Sequence, residues 1–167
     1  WPGLGMILCD HARILRNLDR GDEAIASAHE ALRIWMPLVA HDPHYLRHMA
    51  ASLGILASAL HDGGRIAEAA DAARQAARQY RGLVPADRVR FLPDFAQSLN
   101  DLGMLEAKLG NLDAALAAAQ EAVGLLRELH ARDVAGFRPP LAGALDHLGA
   151  ALKKLGRLDA ALAAMEE

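Results

Sequence analysis

One cysteine, Cys9, in 167 residues leaves no internal disulfide framework, so packing alone must hold this chain together. That scarcity fits a reducing compartment, and the cytoplasm is the expected location. Aromatic residues make up only 4%, which excludes a core built on large rings and a surface laid out for stacking nucleobases. Charge is short of one sign too: 18 Lys and Arg face 21 Asp and Glu, a net of −3 with no basic stripe for phosphates. Nucleic acid is therefore not expected as a partner. No run of 18 or more apolar residues occurs, so no membrane-spanning helix is expected. The chain opens on Trp1-Pro2-Gly3, without an initiator methionine or the pattern of a signal peptide, as an excised or processed piece would.

What is abundant is alanine, at 36 positions within a composition that is 53% hydrophobic. Small side chains favour helix over strand and let helices approach closely. The alanines fall in a repeat. Ser98-Leu99-Asn100-Asp101-Leu102-Gly103 returns as Ala144-Leu145-Asp146-His147-Leu148-Gly149, and as Ser52-Leu53-Gly54-Ile55-Leu56-Ala57, each offset by 46. Leu109-Gly110-Asn111-Leu112-Asp113-Ala114-Ala115-Leu116 returns almost unchanged as Leu155-Gly156-Arg157-Leu158-Asp159-Ala160-Ala161-Leu162. Gly63-Gly64-Arg65-Ile66-Ala67-Glu68-Ala69-Ala70 is a looser copy, and Leu18-Asp19-Arg20-Gly21-Asp22-Glu23-Ala24-Ile25 is the most worn, with Asp19 in place of the turn glycine. Ala24, Ala69, Ala115 and Ala161 fix the register. Tyr45, Phe91 and Phe137, preceded by Asp42, Asp87 and Asp133, keep the same period between units, as do Pro93 and Pro139.

A period of this length means a stack of small helical units. The boundaries are expected near 1–45, 46–91, 92–137 and 138–167, the last truncated, in a single array over 1–167. Each unit reads as two helices. Helix A of the third is expected from Pro93, placed in the first turn where its missing N–H costs nothing, to Leu109, with Gly110 supplying a left-handed end. Leu99, Leu102 and Gly103 would share its buried face. Helix B is expected from Leu112 to His130, with Leu112, Leu116, Val123, Leu126 and Leu129 as its apolar stripe. Ala115, Ala119 and Ala122 would press against helix A.

The series Leu99, Leu102-Gly103, Gly110, Leu112, Ala115, Ala122-Val123 resembles the signature of the tetratricopeptide repeat, and the other units follow it. The unit departs from the usual length of about 34 residues because helix B is prolonged, similar to the extended-helix variety of bacterial arrays and kinesin light chains. The resemblance implies an all-α, right-handed superhelical solenoid of antiparallel helix pairs. It also implies a concave surface lined by helix A that receives a protein or peptide. Carried over residue by residue, that surface comprises Met6, Cys9, Arg13, Arg16 and Asn17 in the first unit, and Ala51, Gly54, Ser58, His61 and Asp62 in the second. The third offers Gln97, Asn100, Met104 and Lys108, and the fourth Asp146, Ala150, Lys153 and Lys154. Arg13, Asn17, Ser58, His61, Gln97, Asn100, Met104, Lys108, Asp146 and Lys153 are the expected partner-binding set. A clamp for a terminal carboxylate, as in chaperone-binding members, is not expected. Only Asn100 and Lys108 fall near its positions, and Met104 occupies a slot that needs a polar group.

Two clusters invite chemistry. His41, His44 and His48, with Asp42 among them, have the spacing of a zinc site. Asp42 and Tyr45, however, are ordinary residues of the period, and no metal site is expected. Cys9 beside Asp10 and His11 suggests an activated thiol, but neighbours along a helix point in different directions. No phosphate-cradling glycine loop, nucleophile elbow or His-Glu-x-x-His helix is present. The expectation is a non-catalytic interaction scaffold with no cofactor, binding a protein or peptide through helix A. The alternatives are a regulatory repeat arm of a larger bacterial signalling ATPase or protease, and a homo-oligomer formed through uncapped ends.

Overall fold

The aspartates that recur with the period turn out to start the helices. Asp42 Oδ1 accepts the backbone N–H of His44 at 2.8 Å, Asp87 that of Arg90 at 3.1 Å and Asp133 that of Gly136 at 3.0 Å. Each satisfies an N–H that a helix start leaves without a partner. In the computed structural model, which describes residues 1–166, eight helices follow one another with no strand among the described residues. Glu167, counted in the fourth repeat, lies outside them.

Two compact units divide the chain, Trp1–Leu83 and Val84–Glu167. The first holds α1 (Pro2–Asn17), α2 (Gly21–His41), a short 3-10 turn (Pro43–Tyr45), α3 (Leu46–Asp62) and α4 (Ile66–Leu83). The second holds α5 (Arg88–Leu109), α6 (Leu112–Arg132), α7 (Val134–Lys154) and α8 (Leu158–Met165). Within a unit each helix packs on the next, and the two A helices also touch, α1 with α3 and α5 with α7.

The turn between helices A and B is the same in all four repeats. A backbone N–H one residue past the turn reaches back to a carbonyl on helix A: Arg20 to Leu15 at 2.9 Å, Arg65 to Leu60 at 2.8 Å, Asn111 to Glu106 at 2.9 Å and Arg157 to Leu152 at 2.9 Å. Such a bond closes a helix end when the intervening residue is left-handed. Gly64, Gly110 and Gly156 have φ of 75°, 82° and 74°, and Asp19 adopts φ 57° in the place of glycine.

Several expectations need correction. Pro93 and Pro139 do not sit in the first turn; they lie inside α5 and α7, which begin earlier at Arg88 and Val134. The reason is the aspartate cap, which fixes the start five residues upstream of each proline. Leu102 is only half-buried, while Leu99, Leu105 and Glu106 beside it are buried. Helix B of the third repeat ends at Arg132, two residues beyond His130. Of its stripe, Val123, Leu126 and Leu129 are buried and Leu112 and Leu116 half-buried.

The small-residue contact is close. A Cβ on Gly103 would stand 3.3 Å from both the carbonyl oxygen of Ala115 and the amide nitrogen of Ala119, so α5 meets α6 backbone to backbone. From there the core of the second unit continues through Leu92, Val123, Leu126, Leu145 and Leu148.

Candidate functional site

Each helix B packs against the helix A of its repeat, and the residues expected to bind a partner are exposed or half-buried on the A helices. Arg13 and Asn17 on α1, Gln97 and Lys108 on α5, and Asp146 and Lys153 on α7 are exposed. Ser58 and His61 on α3, and Asn100 and Met104 on α5, are half-buried. Arg13, Asn17, Ser58 and His61 belong to the first unit and the other six to the second.

Polar side chains tie the A helices to each other. In the first unit Cys9 Sγ lies 2.9 Å from Ser52 Oγ, and Arg16 Nε pairs with Asp62 Oδ2 at 2.7 Å. In the second, His147 Nδ1 lies 2.9 Å from Asn100 Oδ1, and Lys154 Nζ donates to the Ala107 carbonyl at 3.2 Å. Asn100 thus has a partner within the fold, and so do Gln97, which donates to Asp101 at 2.7 Å, and Ser58, which donates to the Gly54 carbonyl at 3.1 Å. These bonds orient the surface side chains before any ligand arrives.

A cleft in the first unit lies beside an aromatic cluster that the repeat pattern does not predict. Trp35, on α2, is wholly buried, and its indole stacks on His48 with ring centroids 4.9 Å apart and on Tyr45 at 6.0 Å. A Cβ on Gly5 would come within 2.5 Å of the ring, so only glycine lets α1 pass over it. Between α1 and α3 a cleft of about 160 Å³ opens above the indole, lined by Met6, Cys9, Arg13, Ala51 and Ile55 among others. Arg47 Nε donates to His48 Nε2 at 3.1 Å, so that nitrogen is an acceptor and the imidazole is neutral. Burial, then the neighbouring His44, holds the His48 pKa below its ordinary value, in agreement.

The histidine cluster is therefore an aromatic one. His48 stacks on Trp35, and His44 lies edge-on to Tyr45 at 6.2 Å. Among the described residues no group of three His, Cys, Asp or Glu side chains is placed to hold a metal ion. Trp35 did leave a trace in the sequence: it falls in the same slot as Tyr80 and Leu126, at intervals of 45 and 46, and all three are buried.

Residues 95–133 and 141–167 match the sequence family described as tetratricopeptide repeat. Those two stretches read as tetratricopeptide repeats. No curated protein matches its sequence. Among solved structures, BtubC (BKLC) from P. vanneervenii superposes on 99% of the chain with a TM-score of 0.80 at 21% identity. The chain spans 62% of that protein's length. MamA superposes on 99% of the chain with a TM-score of 0.66 at 19% identity, over 76% of its own length. A kinesin-light-chain protein of Podosopora anserina with nearly identical TPR-like repeats gives 0.54 at 18% identity, with 99% and 92% covered. At these identities the likeness is one of fold: an all-α solenoid of paired helices. Tetratricopeptide folds serve generally as non-catalytic scaffolds for protein interaction. No helix among the described residues is long and apolar enough to cross a membrane.

Proposed function

We propose that the chain is a non-catalytic scaffold, working as one array over 1–167, that receives a protein segment along the open side of its A helices. The observation that carries this reading is the pre-oriented polar surface of α1, α3, α5 and α7, where exposed and half-buried side chains of mixed character stand beside a fixed buried core. Arg13, Asn17, Ser58, His61, Gln97, Asn100, Met104, Lys108, Asp146 and Lys153 form the proposed contact set. The mixture of both charge signs with amide, hydroxyl and thioether groups favours an extended or helical segment of mixed polarity over a uniformly charged one. A regulatory arm of a larger signalling enzyme would use the same surface, and residues beyond this sequence would distinguish it.

The test is affinity capture with the tagged chain and two paired variants. Asn100→Ala with Met104→Ala, and Arg13→Glu with Asn17→Ala, should keep the parent's helicity while losing the captured partner, the first pair melting only about 2–4 °C lower because it gives up the bond to His147. Capture that is unchanged in both pairs moves the site to the B helices or the loops.

A further inference from the structure

We propose that Asn100 on α5 and His147 on α7 act together as a hydrogen-bonding site for the main chain of the bound segment, offering one donor and one acceptor to the N–H and C=O of a single extended residue. The inference rests on the scaffold reading, deepens it, and adds His147 to the contact set.

The bond between the two side chains decides what each has left to offer. Asn100 Oδ1 can only accept, so His147 Nδ1, which faces it, carries the hydrogen. Asn100 Nδ2 is then a free donor and, on a neutral imidazole, His147 Nε2 a free acceptor. Turning the amide over reverses both roles: Nδ2 donates to Nδ1, Oδ1 becomes the free acceptor and Nε2–H the free donor. Either way the bonded pair shows one donor and one acceptor. Each free atom lies two bonds from the atom that makes the bridge, so the two stand side by side. A carboxylate only accepts and an ammonium only donates, so neither can fill both places. An extended residue fills both, because its N–H and C=O point the same way, as they do toward a paired strand.

The free atoms are open to such a ligand. Both residues are half-buried, and neither has a polar partner besides the other. Among the described residues, the side-chain nitrogens and oxygens buried without a partner are Trp35 Nε1 and His130 Nδ1, so the free atoms of Asn100 and His147 reach solvent. The ground around them is low. Ala150, one turn after His147, is exposed, and an added Cβ on Gly143, one turn before it, would meet nothing within 4 Å. A main chain can therefore come down onto α7 at this point. Packing of one A helix on the next does not require the pair. In the first unit the equivalent places hold Cys9 and Ile55, Cys9 turns to Ser52 instead, and α1 still touches α3.

The experiment selects peptides of about a dozen residues on the full chain from a phage-displayed random library, above neutral pH so that the imidazole is uncharged. Of those that bind Lys153→Glu more weakly, and so lie on α7, the tightest is kept and its affinity measured by fluorescence anisotropy. Asn100→Leu and His147→Phe keep the size of each side chain and remove its hydrogen bonds. Each should retain the parent's helicity and weaken the peptide about three- to tenfold. The peptide is then remade with one backbone N–H at a time replaced by N–CH3. One position should lose about three- to tenfold on the parent and nothing further on one of the two variants, as expected when both changes remove the same bond. Undiminished binding to both variants, or a methylation cost that persists in both at every position, would overturn the proposal. So would a loss that follows replacement of an Asn or Gln side chain of the peptide by Leu, with methylation silent, since a side-chain amide would then be the ligand. The scaffold reading is judged separately. A peptide weakened by Lys153→Glu but indifferent to both variants keeps the scaffold and removes the pair from it, whereas failure to select any peptide counts against both.

Discussion

The contact between α5 and α6 should respond to a single added carbon, and three glycines allow the effect to be isolated. Gly124 lies inside α6 with nothing within 4 Å of an added Cβ, so alanine there gains helix propensity alone, about 0.5–1 kcal/mol. Gly103 would gain the same propensity but place its Cβ 3.3 Å from two backbone atoms of α6, which cannot rotate away. Gly149 holds the equivalent place 46 residues later, yet its close neighbour is Met165 Cγ at 2.9 Å, on a flexible and exposed side chain that can swing aside. The expected order of stability is therefore Gly124→Ala highest, Gly149→Ala next and Gly103→Ala lowest, the last close to the parent or up to about 1 kcal/mol below it. Gly103→Val, which must push the helices apart, should cost about 1–3 kcal/mol.

For a chain of this length 1 kcal/mol moves the melting temperature by roughly 2–4 °C. Gly124→Ala should melt about 1–4 °C above the parent and Gly103→Val about 2–12 °C below it. Circular dichroism melts with matched urea titrations measure both. If Gly103→Ala stabilises as much as Gly124→Ala, or Gly103→Val melts with the parent, the helices do not meet backbone to backbone at this point and the account of the small-residue stripe is wrong.

Asp19 strains a turn that the other repeats build with glycine, so Asp19→Gly should raise urea-unfolding stability by up to about 1 kcal/mol; a loss would mean the aspartate makes a compensating contact. Asp133→Ala removes a helix cap and should lower stability by about 1 kcal/mol, with Asp133→Asn recovering most of it. His48 has a folded-state pKa below its ordinary value, so above neutrality both states are uncharged there. As pH falls the unfolded chain takes up the proton first, and the native state loses stability between the unfolded pKa near 6.5 and the lower folded one. Melting should therefore decline on going from pH 7.5 to 5.5, and His48→Gln should flatten the decline; a parallel curve for that variant would assign the loss to another histidine.

The helices and their register could be read from the sequence because the same pattern occurs four times. Ala24, Ala69, Ala115 and Ala161 are all buried, and the turn residue is left-handed at every copy, including the one that is not glycine. The helix starts differ from the proline positions because aspartate performs the capping, through a bond that residue identity alone underdetermines. Trp35 is on helix B and wholly buried against α1 at Gly5, so A-helix positions alone do not point to it. Glu106 was equally legible in principle. It occupies the slot of Leu15, Leu60 and Leu152, is buried as they are, and accepts from Asn111 Nδ2 at 2.7 Å, beside the turn that Asn111 closes.

What separates scaffold from site in this chain is the contrast between positions that repeat and positions that do not. The register alanine, the turn residue and the capping aspartate vary little from copy to copy, because each is fixed by a contact that every repeat must make. The open side of helix A behaves in the opposite way. Cys9, Gly54, Asn100 and Asp146 occupy one equivalent position, and Arg13, Ser58, Met104 and Ala150 another, and in each set no two residues are alike. A surface selected only to stay in water would draw on a few interchangeable polar residues. One that presents a thiol, a bare backbone, an amide and a carboxylate at successive steps offers different chemistry at each, which suits a single non-repeating segment better than a repetitive ligand. On the proposed scaffold reading, the second unit would contribute the hydrogen-bonding positions around Asn100 and Asp146.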